Sequence, residues 1–295
     1  MHSPKSNLRG IALMVLSTGV FACNDALLKL ATEGLPAFQV LFMRGVSATL
    51  WCLPLVLLTG NGRKLKLMLD KWVLLRNSFE FIAVITFIFA LANMPIADIT
   101  ALGQISPMLL LLGVSLIYGE KIGAMRMVLI ALGFVGALLV AQPGASGISP
   151  YVVLGFASAL AVAGRDIVGR RISGNVPALV VAFCTLVLVM VGSGVLMVIF
   201  ETWQAPTLRH ILLLAASGLL LAAGHFLIFL AYRTGATAAV APFYYMFTVW
   251  AVISGILVFG SFPNPLAIAG IVLILISGVA IVLLDERRRR LTVVA

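Results

Sequence analysis

Leu35-Pro36-Ala37-Phe38-Gln39-Val40-Leu41-Phe42 opens one apolar run of the sequence, and Val176-Pro177-Ala178-Leu179-Val180-Val181-Ala182-Phe183 opens another. One ungapped shift of 141 residues relates the two, and it also pairs Asp25 with Asp166, Ala22 with Ala163, Ala90 with Ala231 and Ala97 with Ala238. Further along, the same shift sets Tyr118-Gly119 over Phe259-Gly260. Chance matching among apolar residues produces a few such pairs, but less readily the Asp and Pro pairs. The chain therefore reads as two copies of one unit, residues 9–141 and 150–285, joined by the turn Ala141-Gln142-Pro143-Gly144-Ala145-Ser146-Gly147.

What surrounds those runs decides the solvent. Of 295 residues, 62% are hydrophobic and 10% charged, where a soluble domain carries roughly 25% charged residues. With a mean hydropathy of +1.16, the bilayer is the solvent. A helix crosses the hydrocarbon core in about 20 residues. Apolar runs of that length are read at 9–31, 36–59, 72–94, 96–118, 123–141, 150–169, 177–200, 209–232, 236–260 and 265–285. The expected fold is an all-α membrane protein of ten transmembrane helices, five per repeat. Five being odd, the second copy enters from the opposite side, so the repeats are inverted, an arrangement typical of secondary transporters.

Orientation follows from Lys and Arg. Lys5, Arg9, Arg63, Lys64, Lys66, Lys71, Lys121, Arg126, Arg170, Arg171, Arg233 and Arg287–Arg290 collect on one side, and only Lys29 and Arg209 on the other. That asymmetry puts both termini in the cytoplasm, which an even number of spans requires. The formal charge of +10 does not indicate a nucleic-acid partner, because the basic residues sit in gaps between apolar runs and not on one folded face. Cys23, Cys52 and Cys184 lie inside apolar runs and give no disulfide framework. The first run has a basic start but no small-residue cleavage site, and reads as a retained helix.

Ionisable groups inside a span are functional candidates by default. Asp25 and Arg44 flank the turn at residues 32–35 at similar depth and are expected to form an ion pair, either touching a ligand or pinning two helices. The second copy has Thr185 where Arg44 would fall, and Arg165 beside Asp166, so the halves are not alike here. Glu80 lies near mid-span, one turn beyond Arg76, with Asn77 alongside. An Arg76–Glu80 contact at i,i+4 would serve substrate or proton binding, or a gate. Asp98 and Gln104 are weaker candidates on the fourth span. His225 offers a proton carrier or a neutral interhelical contact. Tyr244, Tyr245 and Phe247, with Phe243 and Trp250 nearby, would stack a planar ligand or simply pack. Three histidines, none spaced as ligands with Cys or carboxylates, give no metal site, and no cofactor is implied.

Pro107, Leu116-Ile117-Tyr118-Gly119-Glu120-Lys121 and Ala241-Pro242-Phe243-Tyr244-Tyr245, then Phe259-Gly260-Ser261-Phe262-Pro263, carry a resemblance to a known family. The sequence resembles the EamA type of the drug/metabolite transporter superfamily, with two EamA repeats. Ser261 stands where many members repeat the Glu of the Gly-Glu pair. Phe21-Ala22-Cys23-Asn24-Asp25-Ala26-Leu27-Leu28-Lys29 and Gln39-Val40-Leu41-Phe42-Met43-Arg44 look like the branch of bacterial S-adenosylmethionine and riboflavin uptake transporters. The resemblance implies a multi-pass protein of the bacterial inner membrane, monomeric or homodimeric, with a central cavity from which the fifth and tenth helices are excluded. Its partners would be a small-molecule metabolite and the lipid bilayer.

Asp25, Arg44, Asn77, Glu80, Gln104, His225, Tyr244, Tyr245 and Phe247 are thus the candidate substrate contacts. The expected function is alternating-access transport of a planar solute such as riboflavin. S-adenosylmethionine uptake and amino-acid or metabolite export are the alternatives. An enzyme is not expected. Gly144-Ala145-Ser146-Gly147 mimics the serine motif of intramembrane proteases, but its serine falls in a turn with only His225 as an intramembrane base. No D-x-x-x-D pair exists to hold magnesium diphosphate, and no charge ring marks a channel.

Overall fold

The structure, a computed structural model, describes residues 4–119, 123–142, 149–235 and 240–294. Glu120, Lys121, Ser146 and Ala238 of the sequence reading lie outside them. The described residues form helices α1 Pro4–Ala31, α2 Ala37–Leu58, α3 Lys71–Asn93, α4 Ile96–Gly103, α5 Ser106–Tyr118 and α6 Ala124–Ala141. They continue with α7 Pro150–Gly169, α8 Ala178–Phe200, α9 Leu208–Thr234, α10 Met246–Phe259 and α11 Pro265–Val294. Two 3-10 segments, Gly62–Leu69 and Ala241–Tyr245, complete the described elements, with no strand among them. Among the described residues, eight stretches are long and apolar enough to cross a membrane, the α4–α5 run Ile96–Ile117 counting as one; Ala124–Val140 and Phe243–Phe259 are shorter apolar helices.

Local chemistry sets the boundaries. Pro36 and Pro177 stand in extended conformation before α2 and α8, consistent with proline's fixed φ and missing donor. Asp70 starts α3, its Oδ1 accepting from the backbone N–H groups of Trp72 at 2.9 Å and Val73 at 3.3 Å. Gly119 and Gly260 end α5 and α10 in the left-handed region, at φ 68 and 61, where a side chain would be strained.

Three spans differ from expectation. The fourth, read as continuous over 96–118, breaks at Gln104–Ile105. Pro107 in the first turn of α5 cannot donate to the carbonyl four residues back, so the helical ladder is interrupted there. Within the ninth, a 3-10 turn at Ala241–Tyr245, with Pro242 in its first turn, precedes α10. The tenth runs past residue 285 to Val294, because Asp285-Glu286-Arg287-Arg288-Arg289-Arg290 holds good helix formers and no Gly or Pro.

The chain divides into two compact units. The first comprises Met1–Cys23, Pro95–Ser149 and Ala223–Ala295; the second comprises Asn24–Met94 and Pro150–Ala222. In the second unit α3 packs along α7 and α8, and α2 along α8. In the first, α11 packs along α6 and α10 along α4. Gly136 and Gly270 bring α6 and α11 so close that a side chain on either would meet the other's carbonyl oxygen, the small-residue contact that lets membrane helices gain dispersion contacts without a hydrophobic drive.

Candidate substrate site

The second unit gathers most of the intramembrane charge. Arg165 on α7 donates from Nη1 to Glu80 Oε2 on α3 and from Nε to Asp166 Oδ1, each at 2.7 Å. On the same face of α3, Arg76 Nη1 donates to Asn77 Oδ1 at 2.7 Å and to Thr185 Oγ1 on α8 at 2.9 Å. Thr185 in turn donates to Asn77 Oδ1 at 2.8 Å. Arg44 on α2 lies within electrostatic reach of both Asp25 and Glu80. Asp25 accepts from Asn24 Nδ2 at 2.9 Å, and Asn24 Oδ1 accepts from Ser217 Oγ on α9 at 2.7 Å. Three guanidinium groups thus face three carboxylates in a low-dielectric setting where an unpaired charge is costly.

Two expected contacts change. The partner of Glu80 is Arg165, not Arg76, because α7 packs against α3 and delivers a guanidinium directly, while Arg76 turns to the neutral Asn77–Thr185 pair. Asp25 and Arg44 are both only 7% exposed and feel one another electrostatically, yet form no ion pair within 4 Å. Among the described residues, no hydrogen bond is made by the Arg44 guanidinium. Arg165, Asp166, Thr185, Asn24 and Ser217 join a network that the sequence assigned to Asp25, Arg44, Asn77 and Glu80. The available signal was the Arg165-Asp166 pair inside a span.

Gln104, His225, Tyr244, Tyr245 and Phe247 belong to the first unit. His225 stands edge-on to Phe21 at 5.1 Å between ring centroids, Phe21 to Phe247 at 6.5 Å, and Tyr244 tilts against Phe247 at 6.4 Å. Trp250 Nε1 donates to the Val15 carbonyl at 3.1 Å, and Ser17 Oγ to that of Gly224 at 2.8 Å. Tyr245 does not join this aromatic group. It is buried, with its ring where a Gly278 side chain would stand, so it packs the 3-10 segment Ala241–Tyr245 against α11. Among the described residues, Gln104 Nε2, Thr100 Oγ1, Thr248 Oγ1 and Asp98 Oδ1 are buried without hydrogen-bond partners. Among the described residues no three of His, Cys, Asp and Glu converge as metal ligands.

Apolar helices long enough to span a bilayer, with no strand among the described residues, define a multi-pass membrane protein. Residues 8–142 match the EamA-like transporter family. A pseudopaline exporter of Pseudomonas aeruginosa is 29% identical over 92% of this chain and 95% of its own. An S-adenosylmethionine uptake transporter of Rickettsia prowazekii is 24% identical over 96% and 95% of the two chains. A riboflavin transporter of Vibrio cholerae is 27% identical over 95% of each. A solved crystal structure matches the fold with a TM-score of 0.65 at 19% identity, covering 98% of this chain and 99% of its own. The family and these relatives are all named as transporters or exporters.

Proposed function

We propose that this chain is a secondary transporter of the bacterial inner membrane, working by alternating access. It crosses the bilayer ten times as two inverted repeats, 9–141 and 150–285, with both termini in the cytoplasm. The 141-residue shift supports the repeat: it relates Pro36 to Pro177 and the left-handed caps Gly119 and Gly260. It also carries the α4–α5 break at Gln104–Ile105 onto the 3-10-to-α junction at Tyr245–Met246. Interrupted helices at matching positions of two halves recur in carriers built from inverted repeats. The shorter helices 124–140 and 243–259 still reach about 25 Å at 1.5 Å per residue, close to the hydrocarbon thickness.

The solute carries charge of both signs. The observation behind this reading is Arg44, a buried guanidinium without a hydrogen-bond acceptor among the described residues, set in reach of the carboxylates of Asp25 and Glu80. A ligand carboxylate would satisfy Arg44, and a ligand cation would neutralise Asp25. S-adenosylmethionine, with an amino-acid head and a sulfonium, fits that chemistry. A planar solute such as riboflavin remains the second reading, favoured by the Phe21–Phe247–Tyr244 rings. Substrate-driven counterflow in proteoliposomes, with S-adenosylmethionine, riboflavin and amino-carboxylates as competitors, tests both. Arg44→Gln should abolish counterflow of the charged solute. Counterflow of riboflavin alone, unchanged in Arg44→Gln, would refute the charged-solute reading.

A further inference from the structure

One end of the second unit holds a basic patch that the transport reading does not use. The 3-10 segment Gly62–Leu69 presents Arg63, Lys64 and Lys66 exposed. Its other side is fixed: Leu65 and Met68 pack on Cys52, Val56 and Phe183, and Cys184 Sγ donates to the Met68 carbonyl at 3.7 Å. Next along the chain, Trp72 has two cations over its ring, Lys71 Nζ at 5.4 Å and Arg171 Cζ at 4.9 Å from the centroid. These five cations from two separate segments make no ion pair among the described residues. The acid among them, Asp70, already accepts two backbone N–H groups of α3 through Oδ1. The N-terminus of α3 adds its own partial positive charge.

We propose that this patch binds the headgroups of anionic phospholipids. Chain connectivity fixes its depth: the segment joins α2, which ends at Leu58, to α3, which starts at Lys71, and both are candidate membrane spans. It therefore lies at the boundary between hydrocarbon and headgroups. Leu69, 77% exposed beside the cations, supplies the apolar edge that an acyl chain covers and a soluble anion leaves wet. Tryptophan at that level is amphipathic, with its ring toward the chains, and the cation–π contacts hold Lys71 and Arg171 without cancelling their charge. A rigid strap with uncompensated cations and one apolar edge selects a charged headgroup over a zwitterionic one by electrostatics.

The full-length protein, reconstituted in phosphatidylcholine alone and in phosphatidylcholine mixed with phosphatidylglycerol, provides the test. Tryptophan fluorescence is quenched with brominated forms of each lipid, and Trp72→Phe identifies the Trp72 component. Brominated phosphatidylglycerol is expected to quench Trp72 at much lower mole fraction than brominated phosphatidylcholine. Combining Lys66→Gln, Lys71→Gln and Arg171→Gln should erode that preference by roughly fivefold per charge removed. Lys66→Arg, Lys71→Arg and Arg171→Lys together should keep it, separating loss of charge from loss of fold. Equal quenching by the two lipids, or a preference that survives the Gln variants, overturns the proposal. So does inorganic phosphate that competes as well as phosphatidylglycerol, since that outcome assigns the patch to a soluble anion.

Discussion

Arg165 is the side chain whose loss separates a charge network from a set of accidental neighbours. It makes two 2.7 Å bonds, to Glu80 from Nη1 and to Asp166 from Nε, with side-chain exposures of 22% for Arg165, 19% for Glu80 and 40% for Asp166. Arg165→Gln leaves two carboxylates facing each other without their cation. Stranding one partner of a fully buried pair costs about 3–5 kcal/mol. Partial exposure, and Arg76 within electrostatic reach of both acids, bring that down to about 2–3 kcal/mol, the range of charge-assisted hydrogen bonds. Glu80→Gln is milder, because the amide oxygen still accepts from Nη1 and Asp166 still neutralises the guanidinium; about 1 kcal/mol is expected. With about 2–4 °C lost per kcal/mol for domains of 150–250 residues, Arg165→Gln should melt about 4–12 °C lower and Glu80→Gln about 2–4 °C lower. Melting in detergent, followed by the monodisperse peak of a fluorescent fusion, reads both. The double variant should cost less than the sum of the singles. A Glu80→Gln penalty as large as that of Arg165→Gln, or strict additivity, would refute the assigned pairing.

Gly270→Leu should remove most folded protein, since its side chain would enter the Gly136 carbonyl; the monodisperse yield of Gly270→Leu beside Leu266→Ala, an exposed position on the same helix, measures this. Tyr245→Ala should destabilise by about 3–5 kcal/mol, as other buried aromatic truncations do, while leaving substrate preference in the surviving protein unchanged; altered competition between solutes would return Tyr245 to the binding surface. Lys64→Cys and Arg209→Cys, in a background lacking Cys23, Cys52 and Cys184, should react with impermeant thiol reagents from opposite sides of the membrane. Labelling of both from one side would refute the topology proposed above.

The helix edges were readable because they are written in single residues. Pro36, Asp70, Gly119, Pro177 and Gly260 each act locally, and the structure places an edge at every one. The break at Gln104–Ile105 is marked by Gly103-Gln104-Ile105-Ser106-Pro107, but the apolar runs on both sides keep the hydropathy of a span-length window high and carry the reading across it. Tyr245 and Phe247 are two residues apart, about 200° around a helix, so their side chains face different neighbours: Tyr245 lies against Gly278, and Phe247 against Phe21 and Tyr244. The ion-pair partners were hidden differently. An i,i+4 rule sees Arg76 beside Glu80, but Arg165 is 85 residues further on, and only the packing of α7 on α3 reveals it.

The ties of the second unit also fix an order of events during synthesis. Glu80 is held by a residue 85 positions later, Arg76 by one 109 later, the first-turn amides of α2 by Glu201 some 163 positions later, and Asn24 by Ser217, 193 later. Each of these groups leaves the ribosome well before its partner exists. While the nascent chain is short, Arg76 and Glu80 have chiefly each other, one turn apart on the same helix, and that provisional pairing must be surrendered when α7 arrives. The amino-terminal half is thus inserted as a set of helices with open charges, and closes only when the carboxy-terminal half reaches it. A ribosome stalled between the halves would expose degradation-prone spans, and a fragment ending near residue 142 would need its missing half supplied in trans.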